Sequence, residues 1–128
     1  NELKIFGDDY NTPDGSCIRD YIYVVDLAKA HVKALQRMLH GECDEQVEVY
    51  NLGTGHGVSV FEIVNTFKEV TGVNLPYVVV GRREGDIEQV WADATKANAK
   101  LNWKADTPLA DVLKSAWEWE KKLRNIAE

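Results

Sequence analysis

The chain has 128 residues, a formal net charge of -6 and 28% charged residues, which is typical of one soluble globular domain. The acidic balance argues against a nucleic-acid partner, and no apolar run is long enough to cross a membrane. The two cysteines, Cys17 and Cys43, are too few for a disulfide scaffold and indicate reduced thiols in a cytoplasmic protein. The sequence begins with Asn1 rather than Met, so we expect it to be part of a longer protein.

The first half of the chain predicts two extended segments, a helix and a strand. Leu3–Phe6 is a short strand candidate, and a loop rich in Gly and Asp follows at residues 7–16. Residues 17–25 are β-branched and aromatic, which favours an extended segment. Asp26 is placed to start an amphipathic helix, and residues 47–52 alternate as a strand. The predicted inner face of this helix consists of Leu27, Ala30, His31, Ala34, Leu35 and Met38.

The next predicted elements are a capped helix and a strand. Ser59 is a predicted N-cap, and Gly72 is placed to end the helix. The apolar run Tyr77–Val80 predicts a buried strand, which leads into a charged loop at residues 81–86. The inner face of the helix is predicted to be Val60, Ile63, Val64, Phe67 and Val70.

Two further helices are predicted towards the end of the chain. Asp93 is placed to cap a short helix that ends at Leu101, and Thr107-Pro108 is a typical helix start. Helices and short strands therefore mix without a strict βαβ alternation. The predicted fold class is α/β, or α+β for this chain alone, with about four helices. The tryptophans Trp91, Trp103, Trp117 and Trp119 lie in or beside helices and are predicted to be mostly core.

Three glycines, Gly53, Gly55 and Gly57, follow the strand candidate at residues 47–52. A dinucleotide-binding fingerprint needs G-x-G-x-x-G and an acidic residue at the end of the next strand, whereas here the spacing is G-T-G-H-G and Arg82 follows that strand. Three interpretations stay open. The glycines form a dinucleotide site, a sharp turn with positive φ, or a backbone-lined pocket for an anionic ligand.

Two charged segments are candidates for binding a phosphorylated ligand. Strand alternation puts Arg19 and Tyr21 on one face, where a guanidinium and a hydroxyl could hold a phosphate; the alternative is a solvated strand edge with an Arg–Asp pair. The segment from Arg82 to Asp86 is either a site loop or a salt-bridged surface turn. The sequence contains no Ser/His/Asp set, no metal-ligand spacing and no Tyr-x-x-x-Lys pair.

Several motifs together resemble the C-terminal part of the UDP-glucose 4-epimerases, which are extended short-chain dehydrogenase/reductases. The resemblance covers nearly the whole chain in order and spacing, and the combination of RDYI with RREGD distinguishes the epimerases from related decarboxylases and dehydratases. The motifs are FGDDY at residues 6–10, TPDG at 12–15, RDYI at 19–22, VDLA at 25–28, AHV at 30–32, YNLG at 50–53, RREGD at 82–86 and WAD at 91–93.

The resemblance implies that residues 1–128 form a single UDP-sugar-binding domain. Its partner is an N-terminal Rossmann half, absent here, that carries NAD and the catalytic Tyr-x-x-x-Lys. The parent enzyme would interconvert UDP-galactose and UDP-glucose as a homodimer, with neither nucleic acid nor membrane as a partner. This chain alone would be inactive and bind no cofactor. Two alternatives are a free-standing nucleotide-binding module and a part of another nucleotide-sugar enzyme, such as a decarboxylase or dehydratase.

The resemblance also implies roles for individual residues, all of which bind ligand and none of which catalyses. Val90 matches a position that gates the sugar pocket, and its modest size leads to the hypothesis that the parent also accepts UDP-N-acetylhexosamines. In chain order, Lys4 to Phe6 would line the uracil, Arg19 would bind the diphosphate beside Tyr21, Val60 would pack on the nucleotide, Arg83 would be the second diphosphate arginine, and Asp86 would accept from the ribose hydroxyls.

Overall fold

A computed structural model describes residues 2–125 of the chain. This part contains four helices and five short strands, which confirms the predicted α/β class. The elements are β1 (Leu3–Phe6), β2 (Ile18–Arg19), α1 (Val24–Leu39), β3 (Val58–Ser59), α2 (Val60–Thr71), β4 (Tyr77–Val80), β5 (Gln89–Val90), α3 (Thr95–Leu101) and α4 (Leu109–Arg124).

The chain divides into two compact units. The first unit comprises Asn1–Arg19, Val58–Gln89 and Thr107–Glu128. The second unit comprises Asp20–Gly57 and Val90–Asp106.

The first unit contains a parallel strand pair formed by β1 and β4. Its register runs from Leu3 opposite Tyr77 to Phe6 opposite Val80, and Ile5 is buried. The strand predicted at β4 is present, but the prediction that it is buried is wrong. Tyr77, Val78 and Val79 are 36–40% exposed, because β4 has β1 as its only strand partner among the described residues.

Helices α2 and α4 pack on each other in the first unit. The Phe67 and Trp117 rings meet edge to face, with centroids 5.7 Å apart, and Val64 is fully buried. The Ser59 hydroxyl accepts the Glu62 N–H at 3.0 Å, which confirms the predicted N-cap. The predicted end is also confirmed, since Gly72 adopts the left-handed conformation with φ 69°.

The second unit starts its helix earlier than predicted. Tyr23 is the N-cap of α1, and its carbonyl accepts the Leu27 N–H at 3.0 Å, so the extended segment predicted for residues 17–25 is cut short. Asp26, predicted to cap the helix, is instead buried in its first turn. The predicted inner face is only partly correct: Ala30 is buried, whereas His31, Leu35 and Met38 are exposed.

Small side chains and one tryptophan form the core of the second unit. The buried cluster consists of Ala30, Ala97, Leu101, Trp103 and Ala105. The Trp103 indole N–H donates to the Asp26 carbonyl oxygen at 2.9 Å, which fixes the start of α1 on this core. Trp91 and Trp119 contradict the prediction of core tryptophans, because they are 49% and 63% exposed.

The strand predicted at residues 47–52 is absent from both sheets of the described residues. Its alternation is present in the side chains: Val47 and Val49 are more than 70% exposed, whereas Tyr50 and Leu52 pack against the alanine-rich core. The segment is extended in pattern but is not a β-strand, because no strand in the described part of the chain forms a hydrogen-bonded ladder with it.

Candidate functional site

Two arginines converge on one aspartate in the first unit. Arg83 Nη2 donates to Asp86 Oδ1 at 2.8 Å, and Arg19 Nη2 lies 3.6 Å from the same oxygen. The Asp86 side chain is 14% exposed, against 26% for Arg19 and 64% for Arg83. This Arg19–Arg83–Asp86 cluster thus offers guanidinium N–H groups at the surface around a largely covered carboxylate.

Backbone geometry holds the members of the cluster in place. Gly85 has φ 82°, and the Asp86 N–H donates to the Arg83 carbonyl oxygen at 3.2 Å, so residues 83–86 form a turn. Arg19 lies on β2, which pairs antiparallel with β3, and its Nη1 donates to the Ile18 carbonyl oxygen at 2.8 Å. A loop and a strand that are distant in sequence therefore present their arginines together.

An aromatic side chain from β1 adjoins the cluster. The Arg83 guanidinium lies 5.4 Å from the centroid of the Phe6 ring, within the range of a cation–π contact. Strand alternation puts Lys4 on the same face of β1 as Phe6, since Ile5 between them is buried and both are exposed. The structure therefore brings Phe6, Arg19, Arg83 and Asp86 together, with Lys4 on the same face of β1 as Phe6. The ligand contacts proposed for these residues stay predictions.

The charges of the cluster are fixed at neutral pH. The hydrogen bond from Arg83 holds the pKa of Asp86 below its usual range, although desolvation acts in the opposite direction. The same contact raises the pKa of Arg83. The cluster thus carries two cations and one anion. It is suited to binding an anion and a hydroxyl-bearing ligand, and none of its members is placed to exchange a proton.

The other predicted site residues lie in different places. Val60 begins α2 and donates its N–H to the Cys17 carbonyl oxygen at 3.1 Å, two residues before Arg19 on the same chain segment. Tyr21 and Val90 belong to the second unit, where they are 37% and 45% exposed. Their proposed ligand contacts stay predictions.

A second contact in the same loop was missed from the sequence. Arg82 Nε donates to Asp9 Oδ1 at 2.7 Å, and its guanidinium lies 4.1 Å from the centroid of the Tyr10 ring. Arg82 is therefore paired with the loop that follows β1, whereas Arg83 pairs with Asp86 and is the more exposed of the two arginines. Strand direction could have indicated this contact: β1 and β4 are parallel, so the loops that follow them, with Asp9 and Arg82, lie at the same edge.

Asp20 holds the glycine turn of the second unit, a role the sequence did not reveal. Its carboxylate accepts the N–H and hydroxyl of Thr54 at 2.9 and 2.7 Å, the Gly55 N–H at 3.2 Å and the Ala92 N–H at 3.1 Å. Burial raises the pKa of Asp20, but these hydrogen bonds together outweigh it and lower the pKa. Gly55 has φ 76°, as the interpretation of a sharp turn requires.

Backbone amides of the glycine turn and of the start of α2 donate hydrogen bonds within the chain. The amides of Thr54 and Gly55 already donate to a carboxylate of the same chain. At the start of α2, the Phe61 N–H donates to the Ser16 hydroxyl at 3.2 Å, and the Glu62 N–H is capped by Ser59. These contacts favour the interpretation of the glycines as a structural turn, because an anion-binding turn needs free amides.

Two absences apply to residues 2–125 alone. No group of three or more His, Cys, Asp or Glu side chains there is arranged to hold a metal ion. No helix in this range combines the length and apolarity needed to cross a membrane.

Comparison with known proteins places this geometry in a family. The model of the family described as GDP-mannose 4,6 dehydratase matches residues 5–116. The chain belongs to this family. The match includes Phe6, Arg19, Arg83 and Asp86.

Curated and solved relatives that the chain resembles over nearly its whole length include UDP-glucose 4-epimerases. The chain is 46% identical over 124 residues to the enzyme of Bifidobacterium longum, covering 97% of this chain and 35% of that protein. The crystal structure of the Stenotrophomonas maltophila enzyme, described with bound NAD and formylated UDP-arabinopyranose, superposes with a TM-score of 0.91 at 44% identity, covering 98% of this chain and 37% of that one. The UDP-Glc/GlcNAc 4-epimerase of Campylobacter jejuni is 40% identical with a TM-score of 0.82, covering 94% and 36%.

The chain thus spans about a third of the length of the curated relatives it matches. The matched third is the C-terminal part, which confirms the resemblance drawn from the sequence motifs.

Proposed function

We propose that the chain is the UDP-sugar-binding part of an NAD-dependent UDP-glucose 4-epimerase, which interconverts UDP-galactose and UDP-glucose in galactose metabolism. The observation that carries this proposal is the Arg19–Arg83–Asp86 cluster beside Phe6, in a chain whose matched relatives are 4-epimerases. A free-standing nucleotide-binding module is less well supported. The chain matches its relatives over nearly its own whole length, but it corresponds to only a part of each of them.

The proposed roles follow from the chemistry of each side chain. Arg19 and Arg83 bind the diphosphate, since each guanidinium offers a fixed fork of donors that matches phosphate oxygens. Asp86 accepts from the ribose hydroxyls, because a carboxylate provides acceptors for both groups of a diol. The edge of β1 at Lys4 and Phe6 lines the uracil, and Val60 packs on the nucleotide.

Catalysis and cofactor binding belong to other parts of the proposed enzyme. NAD would serve there as the hydride carrier for the sugar carbon that is epimerised. The part played by this chain is to hold the nucleotide so that the sugar reaches that site. We also propose, from the resemblance, that the whole enzyme is a homodimer. A cytoplasmic location is part of the proposal, in agreement with the free thiols of Cys17 and Cys43.

Calorimetric titration of the chain with UDP-glucose and, separately, with NAD tests the proposed function. We expect binding of UDP-glucose and a loss of about tenfold or more in affinity for Arg83→Ala, because a charged hydrogen bond to phosphate is removed. Arg124→Ala is the matched control: it removes the same charge from the end of α4, where Arg124 pairs with Glu120. Binding of NAD without UDP-glucose would contradict the proposal.

Val90 is proposed to set the size of the sugar that the whole enzyme accepts. The side chain is small and 45% exposed, and a 40% identical relative is described as a UDP-Glc/GlcNAc 4-epimerase. We expect the full-length enzyme to turn over UDP-N-acetylglucosamine as well as UDP-glucose, and Val90→Tyr to lose the first activity and keep the second. Absence of turnover of UDP-N-acetylglucosamine by the unmodified enzyme would refute this role.

A further inference from the structure

One oxygen of the Asp86 carboxylate lies between the guanidinium groups of Arg83 and Arg19. Its Oδ1 atom accepts from Arg83 at 2.8 Å and lies 3.6 Å from Arg19 Nη2. One oxygen between two guanidinium groups is also the arrangement that a phosphate oxygen would adopt there. The two arginines are therefore partly neutralised by an anion of the same chain.

The turn that carries Asp86 does not depend on these side-chain contacts. Its backbone is closed by the hydrogen bond from the Asp86 N–H to the Arg83 carbonyl oxygen and by the positive φ of Gly85. The 3.6 Å separation from Arg19 is longer than a hydrogen bond, and Arg83 is mostly exposed. A side-chain rotation that moves the carboxylate away from the arginines would break neither of these backbone features.

We infer that Asp86 is a specificity-determining residue that competes with the diphosphate for Arg19 and Arg83, so that tight binding requires a ligand with both a diphosphate and a ribose diol. The inference rests on the proposed function, from which the ligand class is taken.

The competition has a simple electrostatic cause. A diphosphate that displaces Asp86 gains two guanidinium contacts, but it leaves a carboxylate without its cations and close to new negative charge. The hydroxyl groups of a ribose donate hydrogen bonds to the displaced carboxylate and offset this cost. Inorganic phosphate or pyrophosphate has no diol, so the same carboxylate acts against it. The site thus selects nucleotides over the simple anions that accompany them in solution.

Two variants of the same loop separate this competition from a general effect of charge. Asp86→Asn removes the carboxylate charge with little change of shape. Glu84→Gln removes one negative charge two residues away, on a side chain that is exposed. Both variants therefore have the same net charge, and only the first frees the arginines. Asp86→Ser is a second variant at the site.

The experiment is calorimetric titration of the 128-residue chain and its variants with pyrophosphate, UDP and 2′,3′-dideoxy-UDP at fixed ionic strength. We expect Asp86→Asn and Asp86→Ser to bind pyrophosphate roughly two- to fivefold more tightly than Glu84→Gln does, which is the upper part of the range for one partly exposed charge pair. We also expect the unmodified chain to bind 2′,3′-dideoxy-UDP more weakly than UDP, because the diol is lost. For Asp86→Asn, the affinities for these two ligands should differ little.

Equal or weaker pyrophosphate binding by both Asp86 variants, relative to Glu84→Gln, would overturn the inference. In that case, binding of UDP by the unmodified chain would leave the proposed function intact. Conversely, tighter pyrophosphate binding by the Asp86 variants would support the competition even if UDP did not bind the unmodified chain, and the proposed function alone would then fail.

Discussion

Glu48 is the carboxylate partner of a buried arginine in the second unit. It accepts from Arg37 Nε and Nη2 at 2.9 and 3.0 Å, from the Asp44 N–H at 3.0 Å and from the Tyr50 hydroxyl at 2.8 Å. The hydrogen bonds from Arg37, followed by those from Asp44 and Tyr50, hold the pKa of Glu48 far below its usual range. Arg37 itself is buried on α1, so the pair joins the helix to the segment that follows it.

The ion pair between Arg37 and Glu48 should make the free energy of unfolding depend on pH. A carboxyl group whose pKa is lower in the folded state stabilises the fold above its unfolded pKa of about 4.3, and the contribution is lost as the pH falls through the folded pKa. We expect Glu48→Gln to lower the urea midpoint at pH 7, and the difference from the unmodified chain to shrink progressively below about pH 4. Glu69→Gln, exposed on α2, is the control and should show no such difference. A difference that is constant from pH 7 to pH 3 would contradict the assignment.

The sequence showed some of these residues and not others, for physical reasons. Arg19, Arg83 and Asp86 stood out as charged side chains beside a strand and a glycine turn, but residue type alone left a solvated strand edge and a salt-bridged surface turn open. Their assignment to ligand binding came from the family resemblance and stays a prediction. The roles of Asp20 and Glu48 could not be predicted. In a sequence, a carboxylate that binds backbone amides or a buried arginine cannot be told from a solvated one.

At the scale of elements, the glycine turn of the second unit has no room for a side chain at Gly53. A Cβ atom at Gly53 would lie 2.6 Å from the Ala92 Cβ and would also clash with the Asp20 carboxylate. We expect Gly53→Ala to destabilise the fold by about 1–3 kcal/mol in urea unfolding, as overpacking does. Gly81→Ala is the matched control, since a Cβ there meets nothing within 4 Å. Equal midpoints for the two variants would show that the turn adapts without cost.

Local signals predicted helices better than strands. Ser59 and Gly72 define α2 because a cap and a left-handed glycine act within one turn of the chain. The strand predicted at residues 47–52 depended on a partner, and the described residues provide none for it. The prediction that α1 starts at Asp26 is wrong for a similar reason. Asp26 is held by a hydrogen bond from Trp103, which is far away in the sequence.

At the scale of the whole molecule, the described residues support a binding role and the comparisons supply its context. The cluster that carries the proposed function lies within the first unit, whereas Tyr21 and Val90 lie in the second. Alternation and capping cannot predict such a division, because each unit is assembled from separate stretches of the chain. The resemblance to a family conveyed information that the residues alone did not, namely the class of ligand.

The pairing of β1 with β4 also has a consequence for the order of folding. Leu3 lies opposite Tyr77, and this pairing brings Phe6 at the end of β1 to the loop that carries Arg83. Closing so long a loop of chain costs conformational entropy before any contact compensates for it, which makes such pairings slow to form. During synthesis, the ribosome must release the chain beyond Asp86 before this cluster can assemble. The candidate site is therefore a late product of folding, while capped helices such as α2 can form from local sequence as soon as they emerge.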